Sequence, residues 1–326
     1  MKVNHPRLQK RRDFLRADSG GTRSDGEMRF RKSILAALIF ISVLAGLFFW
    51  LRPPTPPPVV LPNPNGYDDF VKAGQLFKSS TNSYLKMTED ELRDYVTKNL
   101  PALRLVEEGL KKECRVPIQY STNFLSTHMH ELAGFKGLSL AQAAQGRLEE
   151  MDGKTNEAAW CYFKSIQIGH EAFRGGLLID HLIRLSCEAI GTKPLQAISG
   201  SLDAKTSRDL VRELEKLEAA EEPIGQIEAR DREWGRATVG ASVYFQIVRM
   251  AIQMRTLSPL APALKKAEHR TMTIEKQRRE LMLDLAARAY ELEKGKRPKS
   301  FSDLVPDYLK SVPTDPVTKS NLVYRF

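Results

Sequence analysis

Apolar side chains run without a charge from Ile34 to Leu51 (ILAALIFISVLAGLFFWL), eighteen residues closed by Trp50-Leu51 and Arg52. As a helix this stretch rises about 27 Å at ~1.5 Å per residue, close to the ~30 Å hydrocarbon core of a bilayer. A surface helix of a soluble domain would carry a polar face, and this run has none, so a transmembrane helix is predicted. Seven prolines follow in the twelve residues 53–64. Such a run favours polyproline II and predicts a stiff stalk of about 37 Å at ~3.1 Å per residue.

From Tyr67 onward apolar positions recur at helical spacing nearly throughout. Thr88-Glu89-Asp90-Glu91 reads as a capping box, with Thr88 as N-cap and Glu91 reaching back to open the helix ELRDYVTKNL. Pro101 suits a first turn, so a new helix is expected to restart there and run through LRLVEEGLKKEC to Val116-Pro117. Residues 117–134 show no clear period and predict an irregular crossing. Residues 138–151 and 155–173 predict a helical hairpin turning at Asp152-Gly153, with Asn156 solvated near the turn. Residues 177–198 are apolar enough for a central helix. Residues 201–220 form an amphipathic stretch with Leu210, Leu214 and Leu217 on one stripe. Pro223 opens a helix expected to reach about Leu257, before Pro259 and Pro262. A long helix is predicted over 263–293, with Leu281, Leu285, Ala289 and Leu292 as its late stripe. No alternating strand pattern occurs before residue 310.

The fold class expected is therefore all-α: one transmembrane helix, a proline-rich stalk, and an extracytoplasmic multi-helix domain with αα-hairpins and a short irregular C-terminal segment. The expected divisions are a basic, disordered cytoplasmic tail (1–33), the membrane helix (34–52), the stalk (53–66), the helical domain (67–280), and a last helix with its tail segment (281–326).

Charge sharpens this layout. The 326 residues carry a net +10, but residues 1–32 hold ten Lys/Arg against four acids, a net +6, leaving +4 for the other 294. A basic surface for nucleic acid loses its support once the tail is set aside. The tail precedes the span and only Arg52 follows it, so the positive-inside bias places the N-terminus in the cytoplasm and the domain outside it, anchored in a bacterial inner membrane. Lys10-Arg11-Arg12-Asp13-Phe14-Leu15-Arg16 is close to a twin-arginine export pattern. However, charged residues from Asp18 to Lys32 separate it from the apolar run, and no small-x-small cleavage site follows. The arginines read as positive-inside charge. Cys114, Cys161 and Cys187 are too few and scattered for a disulfide framework or zinc cluster and read as buried thiols, one disulfide being the alternative.

Within the predicted hairpin, Gly146, Gly153, Ala158, Tyr162 and Ser165 fall at the intervals of one tetratricopeptide hairpin, which they resemble. Small residues there let two helices approach, and Tyr162 fills the space beside them. Gln142, Gln145 and Glu149 depart from that pattern, and a shift of 34 residues gives Asp180, Cys187, Thr192, Gln196 and Ser199, which is no second repeat. The last forty residues resemble the tail segment of type II secretion pseudopilins at Tyr290, Gly295, Pro298, Leu304, Val305, Pro306, Tyr308, Leu309, Pro313, Asp315 and Pro316. The pseudopilin processing signature is absent before Ile34. The full layout resembles uncharacterised bacterial single-pass, membrane-anchored helical proteins, a resemblance that implies no activity.

Candidate chemistry is sparse. His128-Met129-His130-Glu131 offers alternating histidines, which share a face only in extended chain, and a metal site needs further ligands. His128 and His130 are thus weak metal candidates. His170-Glu171 begins like a zinc-binding H-E-x-x-H, but Arg174 stands at the second histidine. His181 reads as a core histidine. Lys265, Lys266, His269, Arg270, Lys276, Arg278 and Arg279, interspersed with glutamates, predict a solvated face laced with i,i+4 pairs. Arg174-Gly175-Gly176 lacks the strand and lysine of a phosphate loop. No catalytic residue or cofactor is expected. The reading is a bitopic membrane protein whose domain binds a protein partner outside the cytoplasm, with the bilayer contacted through residues 34–51. The alternatives are an envelope hydrolase with a metal near His128 and His130, and an accessory component of a secretion apparatus.

Overall fold

The structure is a computed structural model that describes residues 22–51, 55, 58–240 and 261–325. The basic tail before Thr22, the prolines at 53, 54, 56 and 57, and the helix expected between Gly240 and about Leu257 lie outside the described residues. Among the described residues there are nine α-helices and no strand, so the chain is all-α. They are α1 (Thr22–Leu51), α2 (Tyr67–Leu76), α3 (Glu89–Leu110), α4 (Phe124–Met151), α5 (Thr155–Ala172), α6 (Leu178–Ile198), α7 (Ala204–Ala219), α8 (Ile224–Val239) and α9 (Ala261–Lys294). The chain divides into two compact units, residues 1–54 and 55–326.

The first unit contains α1. Its Phe30–Phe48 stretch is long and apolar enough to cross a membrane, and none of it is buried. Helix begins at Thr22, so residues 22–33 are helical rather than a disordered tail. Glu27, Met28, Arg29, Arg31 and Lys32 are strong helix formers and carry the helix into the apolar run.

The second unit is a layered helical bundle. Helix α5 packs against both α4 and α6, which also touch each other; α2 and α3 pack on α4, and α7 and α9 pack together, with α9 also on α6. The Thr88–Glu91 capping box is formed, with the Thr88 amide donating to Glu91 Oε2 at 2.9 Å and the Glu91 amide to Thr88 Oγ1 at 3.3 Å. Pro101 does not restart a helix: α3 runs through it. The buried stripe of Leu92, Val96, Ala102, Leu103 and Val106 continues past the proline. Thr97, whose carbonyl loses its partner, is exposed to water.

The expected irregular crossing is confined to its first residues, because α4 begins at Phe124. Phe124, His128, Leu132 and Phe135 form its inward face at spacings of four, four and three, and all are buried. Gly134 and Gly137 obscure that period in the sequence because they serve α2. A Cβ on Gly134 would meet the Gly74 Cα at 3.2 Å, and one on Gly137 would meet the Phe77 ring at 2.4 Å.

The hairpin turns where expected, with Gly153 at φ +76°, a conformation only glycine adopts at little cost. Leu210, Leu214 and Leu217 of α7 are buried in one core cluster with Leu281, Leu285 and Ala289 of α9. Leu292 departs from the expected stripe and is exposed. Gly295 ends α9 at φ +67°, its amide donating to the Glu291 carbonyl. The tail then folds back: Leu304, Tyr308, Leu309 and Leu322 enter the core beside Tyr290. Asp303 accepts from the Lys299 and Ser300 amides.

Candidate functional site

The five hairpin residues singled out in the sequence are packing residues. The ring of Tyr162 lies over Gly146, where a Cβ would approach within 2.7 Å of it. The Tyr162 hydroxyl donates to Glu150 Oε1. Ala158 is fully buried, and the Ser165 hydroxyl donates to the Ser139 carbonyl at 3.1 Å. Gly153 makes the turn. Asn156, expected to be solvated, instead ties α5 to α7. Its Nδ2 donates to Asp203 Oδ2 at 2.8 Å and its Oδ1 accepts from the Asp203 amide at 3.2 Å. Asp203 in turn caps α7 through the Thr206 amide. Cys114, Cys161 and Cys187 are free and buried, and burial pushes the Cys114 thiol up to about 12 and the Cys161 thiol to about 11.

His128 and His130 do not form a pair. Both lie on α4, where residues two apart point to opposite sides; His128 is buried and His130 exposed. No group of three or more His, Cys, Asp or Glu able to hold a metal occurs among the described residues.

What His128 joins instead is a buried chain of four polar groups. Its Nε2 is 2.7 Å from Asp180 Oδ1, and its Nδ1 is 3.0 Å from Glu131 Oε2. The Tyr67 hydroxyl donates to the same Glu131 oxygen at 2.6 Å. Asp180 Oδ2 accepts from the Leu177 amide at the start of α6. The Phe124 ring stacks on the imidazole with centroids 4.7 Å apart. Burial opposes charge on His128, but the hydrogen bonds to Asp180 and Glu131 outweigh it and lift the ring to about 9. The ring is therefore an imidazolium at neutral pH, donating to a carboxylate on each side. Burial opposes ionisation of Glu131 too, yet the bonds from His128 and Tyr67 bring its carboxyl below the usual range. Burial, then Glu131, drives the Tyr67 phenol upward, so it stays a donor.

Glu131 is the end of this chain that reaches the surface. It lines a groove of about 420 Å³ between α2 and α4, with Val71, Gly74 and Gln75 on one side and Thr127, His130 and Gly134 on the other. The spacings 71, 74, 75 and 127, 130, 131, 134 are one face of each helix. Contact of the two backbones at Gly74 and Gly134 sets how closely these faces approach.

A second polar centre lies between α6, α7 and α9. Arg278, expected on a solvated face, is 1% exposed. Its guanidinium donates to Glu188 at 2.7 Å and to Glu221, with His170 Nε2 3.3 Å away. Arg184 pairs with Glu221 from α6. Arg279 and Lys276 pair with the distant Glu218 and Asp315 rather than with i,i+4 partners, while Lys265, Lys266, His269 and Arg270 are exposed as expected. Burial would raise the Glu188 carboxyl, but Arg278 and His170 hold it well below the carboxylate range. His181 Nε2 lies 2.8 Å from Thr271 Oγ1, whose own proton goes to the Ala267 carbonyl. Thr271 must therefore accept, and the proton of His181 sits on Nε2. Its Nδ1 and Arg184 Nη1 have no hydrogen-bond partner among the described residues. Both residues line a cavity of about 30 Å³, and a water donating to one and accepting from the other matches them.

Both centres were missed in the sequence, yet each left a trace. His128 falls in register with Phe124, Leu132 and Phe135, and Arg278 with Ile274, Leu281 and Leu285, so each sits on an apolar stripe. A titratable residue on such a stripe needs a buried partner. No protein-family model, curated protein or solved structure matches the chain.

Proposed function

We propose that the chain is a single-pass membrane protein that carries a helical protein-interaction domain on a proline-rich stalk outside the cytoplasm. The observation that carries this reading is the pairing of an uncovered apolar helix, Phe30–Phe48, with a separately packed helical unit over residues 55–326. The excess of Lys/Arg before the span supports an N-terminus in the cytoplasm of a bacterial inner membrane. The groove between α2 and α4 offers the domain a concave surface, walled by helix faces and ending on a carboxylate whose position is fixed. Binding at such a site loses little freedom on the protein side. No catalytic step and no cofactor is proposed. The tail resemblance supports, as a second reading, an accessory role in a secretion apparatus.

Topology is tested by fusing an export-dependent phosphatase after Phe326; activity is expected, and an inactive fusion with a bright cytoplasmic fluorescent counterpart overturns the orientation. The interaction is tested by placing a photo-crosslinking residue at Thr127 in the groove and, separately, at exposed Lys205 on α7. A discrete protein adduct in native membranes is expected from position 127 and not from 205. Failure at 127, or equal adducts from both, removes the groove as the interaction surface.

A further inference from the structure

We propose that the groove between α2 and α4 is a binding site for a primary ammonium group on an aliphatic stem, the chemistry of a lysine side chain. That the ligand is carried by a protein partner rests on the interaction reading above; the site itself does not.

The argument begins with Glu131. Its Oε2 accepts from both the Tyr67 hydroxyl and His128 Nδ1, so the carboxylate plane is held before any ligand arrives. Its Oε1 accepts from no described residue and is not among the buried unpartnered atoms, and the side chain is 28% exposed where it lines the groove. One oxygen anchors and the other faces outward.

Charge points the same way. Glu131 and Asp180 flank a single imidazolium, so these three groups carry one net negative charge, and the partly exposed Glu131 is their end at the groove. A cation is the complement. The number of available oxygens then chooses among cations. A guanidinium gains its advantage from a two-point fork on both carboxylate oxygens. Here the second oxygen is occupied by Tyr67 and His128. A divalent metal ion of the hard class requires several oxygen ligands. An ammonium is a point charge with three donors; one carboxylate oxygen suits it, with the Thr127 hydroxyl lining the same groove. Val71, half-buried on the α2 side of the groove, gives the stem apolar contact.

The test uses the full chain in lipid nanodiscs, with the methyl resonances of Val71 followed during titration. The probes are n-butylammonium, n-propylguanidinium and n-butanol. Saturable shifts are expected with butylammonium, weaker binding with the guanidinium, and none with the alcohol. Glu131→Gln should weaken butylammonium ~10-fold or more, the scale for losing a hydrogen bond to a charged group. Because that variant touches the buried chain, Gln75→Lys serves as a second one. Gln75 is exposed at the groove, and a lysine there supplies its own ammonium, so added butylammonium should no longer shift Val71. Equal shifts with butanol, equal or tighter binding of the guanidinium, undiminished binding to Gln75→Lys, or no saturable shift each overturn the proposal. If butylammonium binds as expected but the crosslinker at 127 captures nothing, the site stands and the protein-partner reading falls. A partner captured at 127 without ammonium binding gives the reverse.

Discussion

Two buried histidines are driven in opposite directions by their neighbours. His128, between Asp180 and Glu131 and stacked on Phe124, is lifted to about 9. His181, one residue beyond Asp180, is brought down to about 4, first by burial and then by the Arg184 charge. An unfolded histidine titrates near ~6.5. The stabilisation from His128 is therefore complete below pH ~6.5 and is lost as pH rises through about 9. His181 acts in the other sense: its contribution is present above pH ~6.5 and is lost as pH falls through about 4. His170, lowered first by burial, adds to the acid side. Stability of the full chain in detergent, followed by urea unfolding from pH 4 to 9, should peak near ~6.5. The alkaline loss from His128 is at most about 3 kcal/mol, at ~1.4 kcal/mol per pH unit. His128→Asn should flatten the alkaline limb and leave the acid limb. A wild-type curve that is level from pH 6.5 to 9 is incompatible with an imidazolium between two carboxylates.

At the scale of elements, the close approaches of α5 to its two neighbours differ in what they meet. A Cβ on Gly146 of α4 runs into the Tyr162 ring at 2.7 Å, whereas one on Gly191 of α6 runs into the Tyr162 carbonyl oxygen at 2.3 Å. A side chain can give by a few tenths of an ångström; the backbone of a packed helix moves only with the whole element. Alanine gains ~1 kcal/mol over glycine in helix propensity. Gly146→Ala should then fall within ~1 kcal/mol of the parent, with propensity and overpacking opposed. Gly191→Ala should lose ~1–3 kcal/mol net, because α5 and α6 must separate. Thermal unfolding of the two variants side by side decides it. A Gly191→Ala protein as stable as the parent means the two helices are not in backbone contact there.

On the scale of the whole molecule, the tail segment is part of the core of the second unit and not an appendage. Leu304, Tyr308, Leu309 and Leu322 are buried. Tyr308 packs edge-on against Tyr290, carries the Arg208 guanidinium 4.8 Å above its ring, and donates to Glu293 at 2.7 Å. At ~1.5–3 kcal/mol for each large side chain, these four bury about 6–12 kcal/mol of gross stabilisation. That matches the ~5–15 kcal/mol net stability of a whole domain. A stop codon after Gly295 should therefore abolish cooperative unfolding and raise binding of a hydrophobic dye. A truncated protein that retains the parent melting transition would show that the tail is dispensable to the fold.

The periods, caps and breakers of this chain were legible without coordinates because they are local. The Thr88–Glu91 box, the turn at Gly153, the end of α9 at Gly295 and the uncharged run in α1 each depend on residues within a few positions of one another. A helix propagates on i,i+4 hydrogen bonds, so the information that starts and stops it is nearby. Where a local rule failed, a distant residue had overridden it: α3 passes Pro101 because its apolar stripe is packed on both sides of the proline, and α4 hides its period because Gly134 and Gly137 face α2. The polar centres include local pairs such as His128–Glu131, but tertiary structure completes them. His128 meets Asp180 across 52 positions, Arg278 meets Glu188 across 90, and Asn156 meets Asp203 across 47. An ionisable side chain is stable inside only beside a partner of opposite charge, and spacing along the chain carries no record of which residue that will be. Composition and periodicity determined the class, the apolar run and the helix ends. Packing decided which charges are buried, which histidine is an imidazolium, and that Glu131 has one oxygen held by Tyr67 and His128 and the other turned outward.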